Sequence, residues 1–535
     1  MLSVSYIKDG LLIKTGSSNS DIEISEKEES GRYTVTVKAI EDITLECGQT
    51  VYNTKINDGD LYFLNGYQSW TDTKEFYLSE KEKNIKKSPK FVVDMFAMDK
   101  YGDSNFYEYS KNKLHGYDVF YSKGSCESFI YSLNYEKAYL IFEIDKKEKT
   151  LSLISDIKGL ELKQGEEFTV FDFRHYNSYK EGIESFNLHF TSRQYEKVFG
   201  YTSWYNYYQN INEKIITRDL DALDSKFNLF QIDDGYETFV GDWLDVDKTK
   251  FPNGLKPIVK KIHEKGFKAG IWLAPFSVEE KSSVFANHKD WIKKDENGNL
   301  VKTGGNWSGF YPLDLDNEEA VSYIRKSLEY YMELGFDFFK LDFLYCASYL
   351  PYRGKTRCMV QNDSYNLLRD ILKDRLILGC GANTLNSYGK FEYLRIGPDV
   401  SLEFDDVFYM RPFHRERIST KNTLQNTIYR SIFNGHLFGC DPDVFLLREE
   451  NIKLNKKQKL SLITINSLFG SVLMTSDNVG EYNGEAKRLL ENSLDIFFNA
   501  KEKEFRRDKE FICISYVLDG KKNELKYNTK KGELI

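Results

Sequence analysis

Two aspartates stand where short apolar runs give out. Asp342 closes Phe338-Phe339-Lys340-Leu341-Asp342-Phe343, and Asp399 closes Leu394-Arg395-Ile396-Gly397-Pro398-Asp399. Each has a cation upstream, Lys340 two residues before the first and Arg395 four before the second. Each run reads as a buried parallel strand, and a β/α barrel presents its catalytic groups at the C-terminal ends of such strands. Paired acids held this way suit glycoside hydrolysis, one carboxyl ionised as nucleophile and the other protonated as general acid. Lys340 and Asp342, two apart on one strand, face the same side, which puts an ammonium where it favours an ionised Asp342. Arg395 reads as a grip on a substrate hydroxyl or on the nucleophile's second oxygen, or as a structural salt bridge.

Polar groups recur at the neighbouring strand ends. Trp204-Tyr205-Asn206 follows the first run, Gln231-Ile232-Asp233-Asp234 ends the second, and Trp272 lies in the third. Cys380-Gly381-Ala382-Asn383 ends the fifth, Asp441 and Asp443 the seventh, and Ser476-Asp477-Asn478 the eighth. A lone Asp after a strand is ordinarily a helix N-cap, a reading that weakens when nearly every successive strand end is polar. The Asp233-Asp234 pair fits a clamp on vicinal sugar hydroxyls, or else a metal site or a solvated turn. Trp204, Tyr205 and Trp272 would offer apolar faces to the C–H surface of a sugar.

Eight strand-like runs must position these ends, at 200–205, 229–233, 268–274, 338–343, 376–380, 393–396, 436–440 and 472–476. Amphipathic helical stretches alternate with them, at 258–265, 320–334, 364–373 and 457–468. The alternation predicts a (β/α)8 TIM barrel over residues 195–477, with the long gaps after strands three and six as loops over the active face. Residues 1–180 hold strand-like runs between turn signals, which predicts an antiparallel β-domain. Residues 478–535 end in similar runs and read as a small C-terminal β-domain.

The bulk properties narrow the function classes. With 74 Lys and Arg against 82 Asp and Glu, the formal charge is −8, and no basic stripe interrupts it. That argues against a nucleic-acid partner. No stretch approaches the roughly 18 apolar residues of a membrane span. Met1-Leu2-Ser3-Val4-Ser5-Tyr6 lacks a charged segment followed by an apolar one, so no signal peptide is read and a cytoplasmic location is expected. Seven cysteines are scattered without a C-x-x-C pair, and seven histidines are equally dispersed. Neither a metal site nor a disulfide framework is expected. The 37 Tyr and 38 Phe suit sugar-binding platforms and β-sandwich interiors alike.

Taken together, Trp204-Tyr205, Gln231-Ile232-Asp233-Asp234, Gly270-Ile271-Trp272-Leu273-Ala274-Pro275-Phe276, Phe339-Lys340-Leu341-Asp342-Phe343 and Arg395-Ile396-Gly397-Pro398-Asp399 are highly specific. The chain resembles the retaining α-galactosidases of glycoside hydrolase family 36, the melibiases, in their shorter bacterial and thermophile-type branch. The resemblance covers nearly the whole chain. It implies a multidomain protein whose central barrel lies between an N-terminal β-supersandwich and a small C-terminal β-sandwich. By resemblance Asp342 is the nucleophile and Asp399 the acid/base. Asp233, Asp234, Lys340 and Arg395 would bind galactosyl hydroxyls, the first three around the axial O4 and O6 end. Trp272 would line the pocket, and Trp70, in Gly66-Tyr67-Gln68-Ser69-Trp70, would reach over from the N-terminal domain to close it.

The implied activity is exo-acting hydrolysis of terminal α-D-galactosyl residues by double displacement, on a small-molecule α-galactoside and without a cofactor. An α-N-acetylgalactosaminidase or an α-galactosyl transferase on the same fold stays open. So do a catalytically silent carbohydrate-binding protein and a metal-dependent hydrolase built on Asp233, Asp234 and Asp441. The chain departs from the family pattern twice. Gly379-Cys380-Gly381-Ala382-Asn383-Thr384 stands where longer members have a Cys- and Gly-rich loop with an Arg, and residues 400–406 are unusually acidic.

Overall fold

The computed structural model describes residues 2–349 and 353–535. Among the described residues, the N-terminal strands form a six-stranded and a seven-stranded sheet, both antiparallel. The period-two pattern explains how the two sheets meet. Arg32–Ala39 buries Tyr33, Val35, Val37 and Ala39 while leaving Arg32 and Lys38 in water. From the other sheet, Thr150–Leu162 turns Leu151, Leu153 and Ile157 into the same apolar core. Between Lys74–Phe76 and Lys113–Tyr117 the chain makes an excursion that carries the short helix Lys90–Phe96.

The barrel strands are Val198–Thr202, Leu229–Ile232, Lys268–Leu273, Phe338–Leu341, Leu376–Gly379, Tyr393–Arg395, Gly439–Asp441 and Val472–Thr475. They pair in parallel in that order, and the eighth pairs with the first. A ninth strand in the sheet, Val444–Phe445, continues the seventh after a break at Pro442-Asp443. Gly439–Asp441 pairs with the sixth strand and Val444–Phe445 with the eighth. The parallel sheet therefore curls round as a TIM-like barrel. Pro442 has no N–H to donate and Asp443 is left-handed, with φ 73°, which accounts for the break. Strands covered on both faces must be apolar almost throughout; Gln231, Lys340, Arg395 and Asp441 are among the buried exceptions, and each calls for a partner.

Several elements differ from the sequence reading. The first strand ends at Thr202, because Trp204–Tyr207 already turns as a short helix. The seventh begins at Gly439, since His436 and Leu437 lie in a turn after the 3-10 helix Arg430–Phe433. The helix expected at 364–373 starts at Arg357, because the Thr356 hydroxyl caps it by accepting from the Met359 N–H. Residues 478–499 are not part of a β-domain. They contain the helix Gly484–Asn499, capped by Asn483, which packs beside Lys456–Phe469. The C-terminal strands, from Lys501 onward, make one four-stranded sheet rather than a two-sheet sandwich. One face of that sheet buries Ile512, Ile514 and Tyr516. Phe505 packs on Tyr429 and Phe469 of the barrel helices, at centroid distances of 5.4 and 6.4 Å. The barrel itself is the second layer.

One guanidinium fastens the N-terminal loop 65–70 to the barrel. Arg430, fully buried, donates to the Asn65 side chain (2.9 Å) and to the carbonyls of Gly66 (3.2 Å), Gln68 (2.9 Å) and Ser69 (2.5 Å). It also donates to Ile396 O (2.8 Å), just past the sixth strand. Burial pulls it down to about 9.

Candidate active site

Asp342 and Asp399 line one cavity of about 850 Å³. Asp342 continues the fourth strand, its N–H donating to Leu273 O (2.8 Å). Phe343 then turns left-handed (φ 54°) and aims its own N–H back at Asp342 Oδ1 (2.8 Å), while Trp272 Nε1 donates to Oδ2 (3.1 Å). Those two bonds fix the carboxylate in one orientation. Asp399 keeps 34% of its side-chain surface open, onto the cavity, and accepts from Arg395 Nη1 (3.0 Å). Loss of bulk water in the cleft raises its pKa, against the pull of Arg395 and Lys340, and the charge on Asp342 adds to the rise. One acid is thus held in place by donors and the other inclined to keep a proton.

Lys340 finds its partner in Asp233. The Asp233 Oδ2 accepts from Lys340 Nζ (2.9 Å), Thr202 Oγ1 (3.0 Å) and Gln231 Nε2 (2.7 Å), and Oδ1 accepts from the Asp234 N–H (3.0 Å). Burial alone would lower the Lys340 pKa, but Asp233, helped by Asp342, raises it. Asp234 in turn accepts from Trp307 Nε1 (2.8 Å) and Gln209 Nε2 (3.1 Å). Burial, with Asp234 beside it, pushes the Glu237 carboxyl well above its usual range. The Trp307 ring meets Trp272 and Phe343 at 6.0 and 5.3 Å, which closes the path from Asp234 back to Asp342.

Arg395 serves the other acid. Besides Asp399 it hydrogen-bonds Asp441 through Nε (2.9 Å) and ion-pairs with Asp443 through Nη2 (2.8 Å). It does not hold the second oxygen of Asp342, as one reading of the sequence had it; Trp272 and the Phe343 N–H take those oxygens. Asp443 is raised to about 7 by burial, against Arg395, with Asp399 and Asp441 adding. It accepts from Tyr205 Oη (2.5 Å) and the Val400 N–H (2.7 Å). Tyr205 therefore enters as a buried hydrogen-bond donor rather than as an apolar face. Trp204 stacks edge-on against Tyr208 (5.1 Å, 88°) and is not in the cavity wall. Among the described residues no group of three or more His, Cys, Asp or Glu is arranged to hold a metal. Asp233 and Asp441, two of the candidate ligands, are ion-paired to different cations.

Trp70 does reach the cavity from the N-terminal sheets. Its ring lies against Phe343 (5.4 Å) and Tyr345 (5.8 Å), and Nε1 donates to Cys380 Sγ (3.3 Å). A Cβ at Gly381 (φ 64°) would press within 3.1 Å of the indole, so glycine suits that position both sterically and conformationally. Sequence reasoning missed Trp307, Glu237, Gln209 and the clamp at Arg430. For Trp307 a signal existed: Gly304-Gly305-Asn306-Trp307 interrupts the long gap after the third strand, and paired glycines often mark close backbone approach.

Residues 185–366 match the Melibiase family. That segment holds Asp233, Asp234, Trp272, Lys340 and Asp342, while Arg395 and Asp399 lie beyond it. An α-galactosidase of Escherichia coli is 29% identical over 182 residues, which cover 32% of this chain and 25% of that protein. The match thus spans a quarter of that relative's length. Two solved structures share the fold. TtGalA, an α-galactosidase of Thermus thermophilus in complex with p-nitrophenyl α-D-galactopyranoside, superposes with TM-score 0.73 at 23% identity, covering 96% of this chain and 97% of that one. The GH36 α-galactosidase AgaA of Geobacillus stearothermophilus gives TM-score 0.64 at 12% identity, over 98% and 81%. At these identities the likeness is one of fold.

Proposed function

We propose that the chain is an exo-acting, retaining α-galactosidase that hydrolyses terminal α-D-galactosyl residues by double displacement. The observation that carries this reading is the pair of acids in one cavity, Asp342 fixed by two donors and Asp399 with its pKa raised. The Melibiase segment and the relatives named α-galactosidase support it. Asp342 attacks the anomeric carbon while Asp399 gives its proton to the departing oxygen. Asp399 then takes a proton from water as that water displaces Asp342, and α-galactose leaves with its configuration retained. Asp233, Asp234 and Lys340 serve as the polar clamp on the sugar hydroxyls. Trp272 orients the nucleophile, and Trp70 closes the galactose end. In this reading the two N-terminal sheets form the β-supersandwich that delivers Trp70. Seven free cysteines suit a reducing compartment such as the cytoplasm.

Replacing the acids tests the roles. Asp342→Gly abolishes turnover of nitrophenyl α-galactoside, and azide rescues it to give the β-galactosyl azide; an α-azide product would overturn the nucleophile assignment. Asp399→Gly retains a burst of nitrophenol followed by slow turnover, because that leaving group needs little protonation. Loss of the burst would remove Asp399 from the acid/base role.

A further inference from the structure

Beyond Asp342 and Asp399 the cavity opens through an apolar vestibule built by two excursions. One is the helix Lys90–Phe96 of the N-terminal region. The other is the stretch 406–418, which leaves the barrel just after Asp399 and returns at the helix Thr420–Tyr429. Phe91, Met95 and Phe96 from the first, and Val407, Tyr409 and Ile418 from the second, line the cavity. They do so while staying in water: Phe91 is 68% exposed, Met95 61% and Tyr409 57%. Apolar side chains exposed singly need no explanation, whereas a contiguous group at the mouth of a site marks a binding surface.

The vestibule is braced. Ile85, Val93 and Met98 form a small core with Met410 and Tyr101 packed on it, joining the two excursions. The end of the helix abuts the barrel loop so closely that a Cβ at Gly305 would come within 2.6 Å of Phe96 Cα. His414, Arg415 and Arg417 of the second excursion are buried, while Arg411 stays exposed. Arg417 holds Asp405 (2.9 Å) and Glu416 accepts from Thr71 Oγ1 (2.9 Å). Burial and Arg417 pull His414 down to about 3, so it stands neutral. Asp406, Asn306, His414, Glu416 and Arg417 also line the cavity, the last three with their side chains largely buried. Sugar recognition needs several outward-facing amides and charges, and this wall is mostly aliphatic and aromatic.

A general acid protonates the oxygen of the leaving group, so the aglycone lies on the Asp399 side, where the second excursion begins. We propose that the vestibule receives an apolar aglycone, making α-galactosides of alkyl or aryl alcohols the preferred substrates over oligosaccharides. This rests on reading Asp342 and Asp399 as the α-galactosidase pair, and the test separates the two. The full-length protein is assayed on methyl α-galactoside, octyl α-galactoside, melibiose and nitrophenyl α-galactoside. Octyl should exceed methyl in kcat/KM by about 30-fold, the worth of two to three buried methylenes, and should also exceed melibiose. The double variant Phe91→Ser with Tyr409→Ser, at exposed positions, should cut the octyl-to-methyl ratio to a few-fold. Melibiose equal to or better than octyl, or a ratio that the variant leaves untouched, would overturn the aglycone proposal with the enzyme reading intact. A dimer in sedimentation that the same variant dissociates, with no octyl preference, would also overturn it and give the surface to a second copy. Failure to turn over nitrophenyl α-galactoside would instead sink the underlying reading.

Discussion

Asp399, Asp441 and Asp443 all draw on the guanidinium of Arg395, and the outcome bears on when the proposed acid gives up its proton. Asp443→Asn removes a negative neighbour and leaves Arg395 freer to stabilise ionised Asp399. Both changes lower the Asp399 pKa. Because Asp399 must be protonated to act, the alkaline limb of kcat/KM should move to lower pH, by about one unit. An alkaline limb that stays or moves upward would show that Arg395 does not transmit the effect. Asp342 and Asp399 stand out in the sequence because polar groups recur at successive strand ends; each taken alone would pass for a helix N-cap. The role of Asp443 was hidden, because it depends on a strand break that brings a seventh-strand residue beside a sixth-strand cation. From sequence Trp204 reads as an apolar face for a sugar, but the helix Trp204–Tyr207 turns its ring toward Tyr208.

The two excursions that carry the vestibule are held by a buried charge cluster. His115, in the strand Lys113–Tyr117, lies between Glu82 at Nδ1 and Asp103 at Nε2, both at 2.7 Å. Asp103 also faces Arg415 of the second excursion at 3.8 Å. Burial alone would lower the imidazole's pKa, but the two carboxylates more than offset it and the net shift is upward. A group held protonated by folding contributes its stability in full below its unfolded value, about 6.5. It loses that contribution as pH rises through the raised folded value. Denaturant midpoints of the protein should therefore fall on the alkaline side, and His115→Gln should flatten that fall. A wild-type curve no steeper than the variant's would uncouple the cluster from stability. The barrel strands could be read from sequence because unbroken apolar runs report burial on both faces. The helix Lys90–Phe96 could not, since seven residues show too little period. Gly484–Asn499 escaped for a different reason, its capping Asn483 lying among turn-forming residues that resemble an approach to β-structure.

Across the whole molecule, the N-terminal sheets and the barrel meet through loop 65–70 and Arg430. Arg430→Met would strand carbonyls of Gly66, Gln68, Ser69 and Ile396 in a dry interface, at a cost of about 3 kcal/mol or more. It would also loosen Trp70. We expect a lower melting temperature together with a fall of about tenfold or more in kcat/KM for nitrophenyl α-galactoside, measured well below the variant's own transition. Unchanged activity in a destabilised variant would separate Trp70 placement from the clamp. No sequence pattern announces Arg430, because most of its partners are main-chain oxygens at least 361 residues upstream. That span has a temporal meaning. On the ribosome the tryptophan's loop is made early, while the arginine that must grip it is still hundreds of codons away. The cleft that Trp70 enters therefore cannot be fastened until most of the barrel has been made, however early the N-terminal strands emerge.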